Sequence, residues 1–166
     1  MGAGKSTVGG LLSASIGYTF IDMDSHIEAA ANSKIPDIFS ELGEEHFRKL
    51  ETETLQKLSE SGGNSVISTG GGAVINPLNM EIIGSTGISI YLKAGIDTIW
   101  QRIKEQDDRP LLNVEKPFET AKKLLEDRKA LYEKADITVE TDGLTPLMIA
   151  EKIKDLIFNQ GSHIDN

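Results

Sequence analysis

The sequence opens with Met1-Gly2-Ala3-Gly4-Lys5-Ser6-Thr7, and this stretch runs directly into a helical pattern that begins at Lys5. It matches the second half of the phosphate-binding loop Gly-x-x-x-x-Gly-Lys-Ser/Thr. Glycines in such a loop turn successive backbone N–H groups inward, which creates an anion site at the N-terminus of a helix. The motif predicts that Lys5 binds the β- and γ-phosphates of a nucleoside triphosphate and that the Ser6 hydroxyl binds Mg²⁺. A flexible glycine-rich start is the alternative.

The phosphate loop is incomplete in the sequence. Its first glycine would lie five positions before Gly4, ahead of Met1, and the buried strand that normally delivers the loop is missing as well. Losing about five core side chains at roughly 1.5–3 kcal/mol each removes about 8–15 kcal/mol, as much as the whole stability of a typical domain. We therefore expect the working protein to carry a further N-terminal strand.

The rest of the chain alternates short β-branched runs with longer helical patterns. The predicted strands are residues 19–22, 65–69, 88–92 and 136–140. The predicted helices are residues 5–15, 44–61, 97–105, 117–132 and 146–158. This alternation favours a parallel sheet covered by helices on both faces. We expect an α/β three-layer sandwich with a central parallel sheet, one domain over residues 1–166, and a loose tail over residues 160–166.

Composition excludes several classes of protein. The 166 residues include 17 basic and 26 acidic side chains, for a net charge of −9, which argues against non-specific nucleic-acid binding. The chain has no cysteine, which excludes disulfides, zinc–cysteine sites and thiol catalysis. No apolar run approaches the roughly 18 residues of a membrane span. We expect a cytoplasmic monomer that handles small molecules and binds neither nucleic acid nor membranes.

From the phosphate loop onward, the motifs follow an order that resembles the shikimate kinase family. They are MGAGKSTVG (1–9), FIDMD (20–24), DIFSELGEEHFRKLE (37–51), STGGGAV (68–74), RPLL (109–112) and DRKALY (127–132). The resemblance implies a P-loop kinase architecture and transfer of the γ-phosphoryl group of ATP to the 3-hydroxyl of shikimate, on the pathway to aromatic amino acids. A related small-molecule kinase, such as one for gluconate, and a non-catalytic homologue that binds a ligand or partner are the alternatives.

Asp22 and Asp24 are candidate catalytic carboxylates. They end a predicted strand, at the edge of the sheet where ligands bind in open α/β folds, and their spacing in an extended segment sends both side chains the same way. One carboxylate could hold Mg²⁺ while the other accepts the proton of an attacking hydroxyl. The resemblance assigns Asp22 to the metal and Asp24 to the substrate hydroxyl. Alternatively, Asp24 caps a helix over residues 25–31.

The chain has 13 lysines but only four arginines. Arginine is needed where a planar fork must grip a carboxylate or a phosphate, although any one of the four could be a surface charge. The resemblance implies that Arg48 and Arg128 hold the shikimate carboxylate and that Arg102 lies against adenine. It also implies that Arg109, in a lid over residues 106–115, binds the ATP phosphates and joins Lys5 and Asp24 as a catalytic residue.

Gly70-Gly71-Gly72 follows the second predicted strand directly. Three glycines there would let the backbone approach a ligand closely and offer it N–H donors, whereas a plain turn rarely needs three. We expect these glycines in the substrate site.

Overall fold

The computed structural model describes residues 2–104 and 114–159. The helices are α1 (Lys5–Ile16), α2 (Met23–Ala31), α3 (Ile35–Glu60), α4 (Pro77–Thr86), α5 (Ile96–Ile103), α6 (Pro117–Tyr132) and α7 (Pro146–Asn159). The strands are β1 (Thr19–Asp22), β2 (Ser65–Ser68), β3 (Ile90–Lys93) and β4 (Ile137–Glu140), and a 3₁₀ turn spans Ala73–Ile75. Among the described residues, no helix is both long enough and apolar enough to cross a membrane.

The predicted elements are present, and the structure adds two helices and lengthens a third. Helix α2 starts directly after β1 because the Asp22 carboxylate accepts a hydrogen bond from the Ser25 backbone N–H and caps it. Helix α4 starts in the same way, with the Asn76 side chain accepting from the Leu78 N–H. Helix α3 begins at Ile35 rather than at residue 44, with a break at Gly43.

The strands pair in parallel, as expected, but in two separate sheets of two strands. Strand β1 pairs with β2, with Thr19 opposite Ser65, and β3 pairs with β4, with Ile90 opposite Ile137. The predicted central sheet is therefore present as two halves. A cavity of about 530 Å³ lies between the halves and is lined by residues of both β2 and β3.

Helices cover both faces of the strands. Neighbouring residues in a strand point to opposite faces. Val66 packs into the cluster formed by α1 and α7, whereas Ile67 packs into the cluster formed by α2, α3 and the turn at Ala73. In the other half, Leu92 faces α1 and α7, while Tyr91 stacks on Tyr132 of α6 with ring centroids 5.1 Å apart. This arrangement confirms the three-layer α/β sandwich.

Candidate functional site

The phosphate loop leads into the first turn of α1. Gly4 adopts a left-handed conformation with φ 85°, which glycine accepts without strain, and its carbonyl oxygen accepts the first helical hydrogen bond, from the Val8 N–H. Within the described part of the chain, no side chain caps the helix. The N-terminal turn therefore keeps N–H donors available, as an anion site requires.

The loop lies at the carboxyl ends of both halves of the sheet. The Ser6 hydroxyl donates a 2.6 Å hydrogen bond to the Asp22 carboxylate at the end of β1. On the other side, Gly2 packs against Ile99 of α5, the helix that follows β3. Arg102 of α5 donates to the Gly2 carbonyl oxygen over 3.2 Å, so this cation lies beside the phosphate loop. Its predicted contact with adenine stays a prediction.

The structure corrects the predicted geometry of the two carboxylates. Asp22 ends β1, but Asp24 lies in the first turn of α2 rather than in an extended segment. The helix cap is also Asp22 and not Asp24. The helical turn separates the two side chains: Asp22 faces Ser6, whereas the Asp24 carboxylate lies 3.2 Å from where a Cβ on Gly70 would be. The two acids therefore face the phosphate loop and the glycine turn, respectively.

The oxygen atoms of Ser6 and Asp22 are a pair of ligands that fits Mg²⁺. Hydroxyl and carboxylate oxygens are the hard ligands that this ion prefers, and it usually takes few protein ligands together with water and substrate phosphates. Across residues 2–104 and 114–159, no group of three or more His, Cys, Asp or Glu side chains is arranged to hold a metal. Ser6 and Asp22 are therefore the residues that would hold such a cation at the phosphate loop.

Arg48 is held by two carboxylates of its own helix. Its guanidinium donates to Glu44 and to Glu51, each over 2.9 Å, and its Cζ lies 5.2 Å from the centre of the Phe47 ring. Glu51 is fully buried, and its second carboxylate oxygen has no hydrogen-bond partner among the residues that the structure describes. These two ion pairs therefore fix the direction of the Arg48 guanidinium.

The glycine turn allows these side chains to lie against the backbone. A Cβ on Gly70 would lie 2.7 Å from a Glu51 carboxylate oxygen, and a Cβ on Gly72 would lie 2.5 Å from the Arg48 Cζ. Both distances are shorter than real Cβ contacts. The glycines therefore make room first for the protein's own Arg48–Glu51 pair, a role that was not predicted from the sequence.

Arg128 and Tyr132, one helical turn apart on α6, reach the same turn. The Tyr132 hydroxyl donates to the Gly71 carbonyl oxygen over 2.6 Å, and Arg128 donates to the same oxygen over 3.4 Å. The predicted substrate arginines, Arg48 and Arg128, thus both contact residues of the glycine turn.

The charges around Glu51 are coupled. Burial raises the pKa of Glu51, the Arg48 guanidinium opposes that rise, and the Asp24 carboxylate adds to it. Burial also opposes the charge of Arg48, but Glu51 and Glu44 together raise the pKa of this arginine. The site therefore brings Asp24, Arg48 and Arg128 around one buried carboxylate.

Some predicted residues lie outside the described part of the chain. Arg109 and residues 106–113 of the predicted lid belong to the segment that the structure does not describe, and so does the predicted tail, residues 160–166. Conversely, Glu44 and Tyr132 contribute to the site but were not predicted. The i,i+4 spacing of Glu44 and Arg48 could have indicated the first of them.

Comparisons with known proteins agree with this geometry. A family model described as shikimate kinase matches residues 1–158. The shikimate kinase of Thermodesulfovibrio yellowstonii is 44% identical over 92% of this chain and 88% of its own length. The structure of the Acinetobacter baumannii shikimate kinase in complex with shikimate superposes with a TM-score of 0.93 at 38% identity, covering 99% of this chain and 91% of that one. The Aquifex aeolicus enzyme superposes with a TM-score of 0.83 at 36% identity, covering 100% and 95%.

Proposed function

Because the chain belongs to the shikimate kinase family, we infer that it is an ATP-dependent kinase of shikimate that serves the biosynthesis of aromatic amino acids. Its reaction transfers the γ-phosphoryl group of ATP to the 3-hydroxyl of shikimate. The observation that supports this assignment is that Asp22 and Asp24 connect the phosphate loop with the glycine turn. Asp22 contacts Ser6 of the phosphate loop, and Asp24 lies beside Gly70 of the glycine turn against which Arg48 packs.

We propose that Arg48 and Arg128 bind the carboxylate of shikimate. The guanidinium of Arg48 is already oriented by Glu44 and Glu51, so binding a carboxylate costs little side-chain entropy. Arg128 reaches the same glycine turn, at the Gly71 carbonyl. Two guanidinium groups at one turn suit a planar carboxylate better than two lysines would, because each guanidinium can donate two parallel hydrogen bonds.

At the reacting end, Asp24 is proposed to orient the attacking hydroxyl and to accept its proton. Its position beside Gly70 places this carboxylate next to the proposed carboxylate-binding pair. Lys5, at the start of α1, is proposed to bind the β- and γ-phosphates together with the N–H groups of residues 2–7, and Arg102 lies beside that loop. Arg109 and the lid over residues 106–115 are proposed to exclude water from the site, which limits wasteful hydrolysis of ATP.

Ser6 and Asp22 are the residues proposed to hold Mg²⁺. The ion, when bound, neutralises charge that develops on the transferred phosphoryl group. Before it binds, Asp22 accepts the Ser6 hydroxyl and keeps both oxygens at the mouth of the phosphate loop.

The first experiment measures ADP release by this chain with Mg²⁺-ATP, with and without shikimate, and with gluconate in its place. The proposal expects turnover that depends on shikimate. Turnover with gluconate alone would favour the related kinase, and ATP binding without any transfer would favour the non-catalytic homologue.

Asp24→Asn tests the role of the base. We expect turnover to fall about 100-fold or more, the scale of a lost general base, while ATP binding is retained. Glu81→Gln, an exposed carboxylate-to-amide change on α4, is the matched control and is expected to keep full turnover. Near-normal turnover of the Asp24 variant would contradict the assignment.

The single domain over residues 1–166, the monomeric state and the cytoplasmic location remain predictions. Limited proteolysis would test the first, light scattering of the purified chain the second, and fractionation of the source cells the third.

A further inference from the structure

The Gly71 carbonyl oxygen accepts hydrogen bonds from two side chains of α6. Tyr132 and Arg128 lie four positions apart on this helix, so both side chains leave the same face of it. The Tyr132 hydroxyl donates to the oxygen over 2.6 Å, whereas the Arg128 Nη1 lies 3.4 Å from it. The first distance is that of a strong O–H···O bond, and the second exceeds the usual N–H···O range of about 2.7–3.2 Å. Tyr132 is therefore the principal partner of this carbonyl.

The position of the Tyr132 ring does not depend on its hydroxyl. The ring stacks on that of Tyr91 in β3, with the centroids 5.1 Å apart and the planes inclined by 23°. Stacking of this kind comes from the burial and the shape of the two rings, and neither needs the phenolic oxygen. Phenylalanine at position 132 would therefore keep the ring in place and remove only the donor to Gly71.

The glycine turn is also held by hydrogen bonds that do not involve α6. The Gly70 carbonyl oxygen accepts from the Ala73 N–H over 3.2 Å, and that of Gly72 accepts from the Ile75 N–H over 3.0 Å. The side chain of Asn79, which is fully buried, donates to the Ala73 carbonyl oxygen over 2.9 Å. The path of the backbone through the turn should therefore survive the loss of a single bond from α6.

Without the Tyr132 hydroxyl, Arg128 would be the donor already at hand for the Gly71 carbonyl. A partly buried carbonyl that loses its partner costs free energy, so a nearby donor is drawn to it. The Arg128 Nη1 needs to move by only about 0.5 Å to come from 3.4 Å to an ordinary hydrogen-bond length. A guanidinium that donates to the backbone in this way commits one of the two parallel N–H groups that fit a carboxylate.

We propose that Tyr132 is a positioning residue, whose hydroxyl occupies the Gly71 carbonyl oxygen and so keeps the Arg128 guanidinium available for the carboxylate of the substrate. This role rests on the proposed binding of shikimate by Arg128. Tyr132 does not need to touch the substrate, because it acts through the arginine one helical turn away. Its effect is therefore on the affinity for shikimate and not on the affinity for ATP.

The test is a double-mutant cycle of Tyr132→Phe and Arg128→Met, in which titration calorimetry measures the Kd for shikimate and the Kd for Mg²⁺-ATP. Methionine keeps a long side chain and a high helix propensity but has no side-chain N–H group. We expect Tyr132→Phe alone to raise the Kd for shikimate about 3- to 10-fold, the scale of one hydrogen bond, with the Kd for ATP within about twofold. Beside Arg128→Met the same change should alter the Kd for shikimate by less than about twofold, because the group on which Tyr132 acts is gone.

Tyr18→Phe is the matched control. It removes the hydroxyl of a tyrosine just before β1, at the opposite end of the strands from the glycine turn, and should leave both constants unchanged. An unchanged Kd for shikimate in Tyr132→Phe would overturn the proposal, as would an equal loss of affinity for ATP. A rise that persists in full beside Arg128→Met would overturn it too, since Tyr132 would then act on the turn itself.

Two results separate this role from the proposed function. Wild-type affinity for shikimate in Arg128→Met would refute the carboxylate site at Arg128, and the role of Tyr132 with it. Weakened binding in Arg128→Met, together with no effect of Tyr132→Phe, would refute the role of Tyr132 alone. Circular dichroism checks that each variant is folded, and a Tyr132→Phe protein that does not fold would show that the hydroxyl is a structural group and overturn the proposal.

Discussion

Replacing Gly72 with alanine is expected to weaken shikimate binding by displacing the Arg48 guanidinium. Gly72 has φ −93° and ψ −10°, which alanine adopts without strain, so the backbone of the turn is retained. The added Cβ would lie 2.5 Å from the Arg48 Cζ, whereas carbon atoms in contact are about 3.5–4.0 Å apart. The guanidinium must therefore move by about 1 Å or more.

The size of the effect follows from what Arg48 loses. It is held by Glu44 and Glu51 at 2.9 Å, and a shift of the fork lengthens these bonds or the bond to a bound carboxylate. A hydrogen bond to a charged group contributes about 1.5–3 kcal/mol, which corresponds to about a 10- to 150-fold rise in the KM for shikimate. The KM for ATP should stay within about twofold, because the three atoms nearest to the added Cβ all belong to Arg48 and none to the phosphate loop.

Steady-state kinetics with each substrate varied in turn measures both constants. Gly10→Ala is the matched control, since a Cβ there meets no atom of the described residues within 4 Å, apart from the nearby backbone of its own helix. That variant should stabilise α1 by about 0.5–1 kcal/mol and leave both constants unchanged. An unchanged KM for shikimate in Gly72→Ala, with the fold intact by circular dichroism, would refute the placement of Arg48 in the substrate site.

Three further variants test other parts of the site. Arg128→Lys keeps the charge but loses the fork, so the KM for shikimate should rise about tenfold with that for ATP little changed; an equal loss of both would refute the clamp. Asp22→Asn should raise the Mg²⁺ concentration needed for half-maximal rate while α2 persists, because asparagine caps helices as well as aspartate does; an unaltered Mg²⁺ titration would argue against the metal role. Burial holds the pKa of Glu51 above its usual 4.5, so the folded protein binds this proton more tightly than the unfolded chain does. The free energy of unfolding should therefore fall as pH rises from 4.5 through the folded pKa, and Glu51→Gln should remove that fall; identical pH profiles in denaturant titrations would contradict it.

Short-range patterns made much of the fold predictable from the sequence. The phosphate loop depends on glycines, a lysine and a serine at fixed spacing, and α6 and β1 were predicted with the bounds that the structure has. Helix α4, which Asn76 caps, was missed, and α2 was considered only as an alternative, a helix over residues 25–31 capped by Asp24, whereas its cap is Asp22. Extending the strand through Asp24 therefore gave the wrong geometry for that carboxylate.

By itself, the sequence determined which chemical groups are present: a phosphate loop, two acids and a few arginines in an α/β chain. Only the tertiary structure decided how these groups meet. Arg48 packs against Gly72, 24 positions along the chain, and Tyr132 of α6 donates to Gly71, 61 positions away. Glu51 is buried beside them. Contacts of this kind are fixed by how helices pack on strands, and no local pattern of residues encodes them.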